Sequence, residues 1–293
     1  MLEKKSSFTS TKTFLFVIIL CFVCALILSI LAECLKVPQR NARELYRSKQ
    51  LLLASRLLSY DGTFLLEGSP AHLEKGKLTP SNAREKAPDS AILELVETRI
   101  LVRLTDAQGN LYTFEEAGLD EEAYLRDNAK LGYAHLPYKL VYIVRTNTPS
   151  STPYGYVLPV NGYGLWDAIY GYLGLESNGD TVLGMTWYEQ KETPGLGGEI
   201  ALPEWQEQFG GKKIFQESPK GTTDFERASL GIKVVKSTVQ ETLGDVPQAR
   251  SAVDGIAGAS ITIMGVTEAL RNSLTPYRQF LIRAHQGEIQ IDG

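Results

Sequence analysis

The sequence predicts an α+β protein with one apolar helix near its N-terminus and a globular domain built mostly on an antiparallel sheet. Three observations predict it. Residues 14–32 form a run of nineteen residues without a charge. From Ile92 onward, β-rich segments alternate with short turns. Near the C-terminus, Ile263, Val266, Leu270 and Leu274 recur at helical spacing along one side of a helix.

The apolar run reads FLFVIILCFVCALILSILA, with Ser29 as its only hydroxyl. As a helix it spans about 29 Å, close to the roughly 30 Å of a bilayer's hydrocarbon core. Helical geometry satisfies its own backbone hydrogen bonds, as lipid demands. A cleaved signal peptide is the main rival, but its apolar region is shorter, about 7–15 residues, with small residues at the cut. Here Glu33 follows the run and precedes Cys34, where a lipoprotein cleavage site would need a small residue. Lys4, Lys5 and Lys12 precede the run, so the excess of positive charge places the N-terminus in the cytoplasm and the rest of the chain outside it. Cys21 and Cys24 lie within the run at C-x-x-C spacing, where they read as lipid-compatible small residues. The expected divisions are 1–13 cytoplasmic, 14–33 transmembrane, 34–90 a juxtamembrane helix with an irregular segment, and 91–293 the main domain.

After the anchor, Leu45, Leu52, Leu53 and Leu57 predict a helix over 38–59, and the Gly- and Pro-broken stretch 60–92 reads as irregular. ILELVETRILVRLTD, LYTFE, KLVYIVR, YGYVLPV, TVLGMTWYEQ and GIKVVK read as strands. GYGLWDAIYGYLGLE suits either a glycine-punctuated strand or a short helix. LPEWQEQFG reads as a short helix with Pro203 early and Gly210 at its stop. The last helix starts near Ser260–Thr262.

Composition excludes some functions. Charged residues make up 22% of the 293, the net charge is -4, and no basic stripe suits nucleic acid. His72, His135 and His285 are far apart and lack metal-ligand spacing. No dinucleotide fingerprint, Walker loop or nucleophile elbow occurs. Two stretches stand out. In EQKETPGLGGE (189–199), Gly195, Gly197 and Gly198 flank Leu196 and make a backbone able to approach a flat ligand closely, or simply a turn with solvated glutamates. In DGIAGASIT (254–262), small residues expose Ser260 at a helix N-terminus, whose free N–H groups suit a phosphate. The plain alternative is N-capping by Ser260 or Thr262.

DGIAGASIT resembles the flavinylation motif of proteins that carry FMN through a phosphoester. Asp254, Gly258, Ala259 and Thr262 match that pattern, and Ser260 falls at the acceptor position, where threonine is usual. Ala257 departs from the usual hydroxyl residue. ETPGLGGE resembles the second hallmark of the same family. GYGLWDAIYGYL and WQEQFGGKK are similar to one branch of it, the C subunits of the sodium-translocating NADH:quinone reductases. The likeness runs from about Tyr154 to Val266 and includes the N-terminal anchor.

That resemblance implies a single-pass component of a bacterial inner-membrane translocase, with its main domain in the periplasm. It implies one covalent FMN per chain on Ser260, with Thr262 as the fallback acceptor. Asp254, Gly258, Ala259, Thr193, Gly195, Leu196 and Gly197 would surround it, and Lys212 or Lys213 are weaker candidates. The partners implied are the membrane iron–sulfur subunits, the second covalent-FMN subunit, and a flavin transferase during maturation. The complex would couple NADH oxidation by ubiquinone to sodium export, with this chain as an electron carrier. Two alternatives stand beside this one: the homologous G subunit of the ion-translocating ferredoxin:NAD oxidoreductase, and a flavin-free scaffold.

Overall fold

The computed structural model describes residues 10–291; Lys4 and Lys5, used above for orientation, lie outside them. The chain divides into two compact units, 1–46 and 47–293. The described part of the first unit belongs to helix α1 (Ser10–Ala54), which carries Pro38 within it. Its apolar stretch has a mean hydropathy of 3.3, is unburied, and is long enough to cross a membrane.

The second unit opens with the last turns of α1, where Leu51, Leu52 and Ala54 are buried. A small antiparallel sheet follows: β1 (Phe64–Leu66), β2 (Ser69–Glu74) and β3 (Lys77–Pro80). The stretch expected to be irregular thus carries regular structure, in strands of three to six residues. Helix α2 (Asp89–Arg99) comes next and runs straight into β4 (Ile100–Thr105). The expected long strand over 92–106 is therefore half helix. Ile92, Leu95 and Arg99 fall at helical spacing on its buried face.

The main sheet has six antiparallel strands. They are β4, β5 (Leu111–Tyr112), β6 (Lys139–Val144), β7 (Gly155–Tyr163), β8 (Ala168–Glu176) and β9 (Val182–Glu189), in the order β5-β4-β6-β7-β8-β9. The ambiguous GYGLWDAIYGYLGLE resolves into a turn over 164–167, where the Gly164 N–H donates to the Asp167 carbonyl at 2.9 Å, followed by β8. Helix α3 (Glu121–Asn128) lies between β5 and β6, capped by Asp120. The expected strand GIKVVK contracts to the two-residue β10 (Lys233–Val234), which pairs parallel with β11 (Ala252–Val253). Helices α4 (Pro203–Gln206) and α5 (Val239–Thr242) are single turns.

Helix α6 (Ser260–Leu274) packs against β7. Its predicted face is its buried face: Ile263, Val266, Leu270 and Leu274 all join the core around Trp187, Tyr156 and Phe280. Each such side chain contributes roughly 1.5–3 kcal/mol by leaving water. Helix α7 (Arg278–His285), which the sequence reading did not anticipate, supplies Phe280 and Leu281 to the same core. This packing fixes the start of α6 beside the end of β7 and the loop after β9.

Candidate functional site

Helix α6 begins without a side-chain cap. Its N-cap residue is Ala259, and Ser260 is the first helical residue. N-capping by Ser260 or Thr262 is therefore not what the structure contains. The Ser260 side chain is exposed and makes no hydrogen bond to a described residue. The first backbone N–H groups of the helix lack a side-chain acceptor and present the positive end of the helix dipole.

Thr262 has a different environment. It is 2% exposed, and its hydroxyl donates to a carboxylate oxygen of Glu192. Glu192 is itself buried and accepts two more hydrogen bonds, from the Leu165 N–H at 3.0 Å and the Trp166 N–H at 2.9 Å. The picture of solvated glutamates in this loop fails at Glu192. Its single carboxylate ties three segments together: the β7–β8 turn, the loop after β9, and the first turn of α6. Burial opposes its ionisation, but the bonds from Thr262, Trp166 and Leu165 outweigh burial and hold its carboxyl below the ordinary value of 4.5.

The loop after β9 lies directly on the small-residue stretch. Gly258 adopts a φ of +75°, and a Cβ there would sit 2.8 Å from Leu196 Cδ2. Only glycine takes that backbone conformation without strain and leaves room for the leucine. Gly197 is equally confined, since a Cβ there would strike the Thr262 hydroxyl and lie 2.8 Å from Glu192 Oε2. Gly197→Ala is expected to cost about 1–3 kcal/mol through overpacking. The melting temperature would fall by roughly 2–4 °C for each kcal/mol in a domain of this size, as read by differential scanning calorimetry.

Gly195 donates its N–H to Glu199 Oε1 at 3.0 Å, which closes the loop on itself. Thr193 accepts from the Trp166 indole N–H at 3.1 Å. The Trp166 ring is nevertheless 68% exposed, and Leu196, Ile261 and Met264 are exposed as well. The site thus combines an exposed hydroxyl, an uncapped helix N-terminus and exposed apolar side chains. That donor set fits FMN, which has an anionic phosphate at one end and a flat, largely apolar ring system at the other.

Other expected residues are engaged elsewhere. The Asp254 carboxylate accepts from the Val239 N–H at 2.7 Å, and its carbonyl accepts from the Trp205 indole at 3.0 Å. Lys212 donates to the Ala249 carbonyl at 3.3 Å, and Lys213 lies 3.4 Å from Asp180. Asp254 and Lys212 brace the segment leading to α6, Lys213 is held at the turn between β8 and β9, and none of the three hydrogen-bonds to Ser260. Glu192 and Trp166, whose hydrogen bonds hold the candidate site's segments together, were passed over by sequence reasoning as site residues.

The FMN-binding domain family matches residues 164–275, which span the β7–β8 turn, the loop after β9 and the whole of α6. The C subunit of the Na(+)-translocating NADH-quinone reductase of Chlamydia muridarum is 39% identical over 287 residues, covering 91% of this chain and 90% of its own length. The chain belongs to that family of C subunits. The Chlamydia pneumoniae relative of the same name is 40% identical over 290 residues, with 91% of this chain and 90% of its own covered. The crystal structure of the C subunit from Parabacteroides distasonis shares the fold, with a TM-score of 0.55 at 24% identity over 84% of this chain and 96% of that one. As a member of this family, the chain is an FMN-binding component of an oxidoreductase complex, and its apolar N-terminal helix fits a single-pass anchor.

Proposed function

We propose that the chain carries one FMN as a phosphoester on Ser260 and works as an electron carrier within the sodium-exporting NADH:ubiquinone reductase. The observation that carries this reading is the meeting of the two unusual sequence stretches around an unengaged hydroxyl. Leu196 rests on Gly258, Glu192 grips Thr262, and Ser260 stands free beside them. Bound FMN supplies redox chemistry, while the protein supplies position and polarity. Leu196 and the backbone of 193–198 would lie against the ring, and the first N–H groups of α6 would face the phosphate. Asp254 would act by bracing the approach to the helix. A covalent tether keeps the cofactor from being lost outside the cytoplasm, and the anchor keeps it near redox centres in the bilayer.

In this reading the neighbours are the membrane iron–sulfur subunits and the second covalent-FMN subunit, and a flavin transferase installs the cofactor. The test is co-expression with a flavin transferase, denaturing electrophoresis and in-gel flavin fluorescence. A fluorescent band at the mass of this chain is expected, and a dark band would favour the flavin-free scaffold. Orientation has its own test. An alkaline phosphatase fused after Gly293 is expected to be active and a green fluorescent protein dark; the opposite pattern would place the domain in the cytoplasm.

A further inference from the structure

A second cleft lies among different elements. A cavity of about 170 Å³ is bounded by the β2–β3 turn, the end of α2 and the segment after β6. Its lining includes Lys77, Arg99 and Arg145, the hydroxyl residues Thr98, Thr146, Thr148 and Ser150, and Ile291, with no carboxylate among the described residues. None of its lining residues surrounds Ser260.

The cations here are not ordinary surface charges. Arg99 is only 4% exposed. Its Nε donates to the Arg145 carbonyl at 2.8 Å and its Nη1 to Asn147 Oδ1 at 3.2 Å, both neutral acceptors. The Arg145 Nε is buried and has no hydrogen-bond partner among the described residues. Among the described residues, none of Lys77, Arg99 and Arg145 forms an ion pair. Burial lowers the Arg99 guanidinium to about 10, with Tyr154 opposing it and no carboxylate contributing. A buried guanidinium without a counter-charge is costly, and so is a buried donor left unpaired. Proteins resolve this with an anion, and guanidinium groups are matched to planar or tetrahedral oxyanions.

We propose that this cleft is a binding site for a small oxyanion of the phosphate or sulfate type. Arg99 and Arg145 supply the fixed positive charge, Lys77 closes the site from the solvent side, and the hydroxyls complete the donor set. The cavity is large enough for one tetrahedral oxyanion and too small for a nucleotide.

The test uses the full-length flavinylated chain in detergent, titrated calorimetrically with sodium phosphate against sodium chloride at equal ionic strength. Saturable binding of phosphate is expected. Arg145→Gln should weaken it roughly tenfold, the effect of losing one charge-assisted hydrogen bond. Lys77→Gln, at an exposed position, should also weaken it and guards against a folding defect in the first variant. Lys220→Gln, on an exposed loop outside the cleft, should leave the affinity unchanged. Absence of saturable phosphate binding, or unchanged affinity in both Arg145→Gln and Lys77→Gln, would overturn the proposal. Flavin fluorescence retained in these variants separates this result from the reading of Ser260.

Discussion

Glu192→Ala is expected to destabilise the domain by about 3 kcal/mol and to loosen the whole site. The side chain is buried and accepts from Leu165 N–H, Trp166 N–H and the Thr262 hydroxyl. Alanine would leave all three donors without their acceptor, and each buried unsatisfied group costs about 1–3 kcal/mol. Partial rescue by water keeps the sum below the maximum. The melting temperature should therefore fall by roughly 6–12 °C. Glu192→Gln retains one accepting oxygen and should fall between the two. An unchanged melting temperature in Glu192→Ala would show that the carboxylate does not hold these segments together.

The same residue gives a pH signature. Its folded-state carboxyl sits below the ordinary value of 4.5, because its hydrogen bonds outweigh the burial that opposes ionisation. A carboxyl with a depressed folded value contributes stability that is fully present above its unfolded value. That contribution is lost as pH falls through the folded value. The stability difference between the native chain and Glu192→Gln should thus be constant from neutral pH to about pH 5 and shrink as pH falls below the ordinary value of 4.5. Denaturant unfolding across that range measures it.

Glu192 also marks where sequence reasoning stops. The apolar helix, the strands β6, β7 and β9, and the buried face of α6 follow from patterns local to each segment, and the structure has them. The helix at 89–99 was missed although Pro88 precedes it and Asp89 opens its first turn. Its apolar residues lead without a break into a true strand, so the two periods blur. The small sheet over 64–80 is built of strands too short for their alternation to register. In the site, the Gly-rich loop and the small-residue stretch were legible because glycine and alanine are conspicuous there. The burial of Glu192 was not. Its donors lie 26, 27 and 70 residues away, and a glutamate in a Gly- and Pro-rich turn looks solvated until the fold brings them together. Non-local hydrogen bonds leave no spacing to read.

The largest functional effect is expected at Ser260. Ser260→Ala removes an exposed hydroxyl that bonds to no described residue, so stability should stay within about 0.5 kcal/mol of the native chain. Covalent flavin fluorescence should nevertheless disappear, because the phosphoester has lost its oxygen. Thr262→Ala should behave in the opposite way. Its hydroxyl is buried and committed to Glu192, so its loss should cost about 1–3 kcal/mol while the fluorescence of the folded fraction remains. Ser260→Thr supplies the same oxygen with one added methyl at an exposed position and should keep the label. The two readouts together decide the acceptor. Fluorescence that survives Ser260→Ala and vanishes in Thr262→Ala would transfer the tether to Thr262. The Glu192–Thr262 bond would then have to open before the hydroxyl could react. Loss of fluorescence in both alanine variants, with normal folding of each, would mean that the Glu192–Thr262 contact positions the helix terminus for attachment at Ser260.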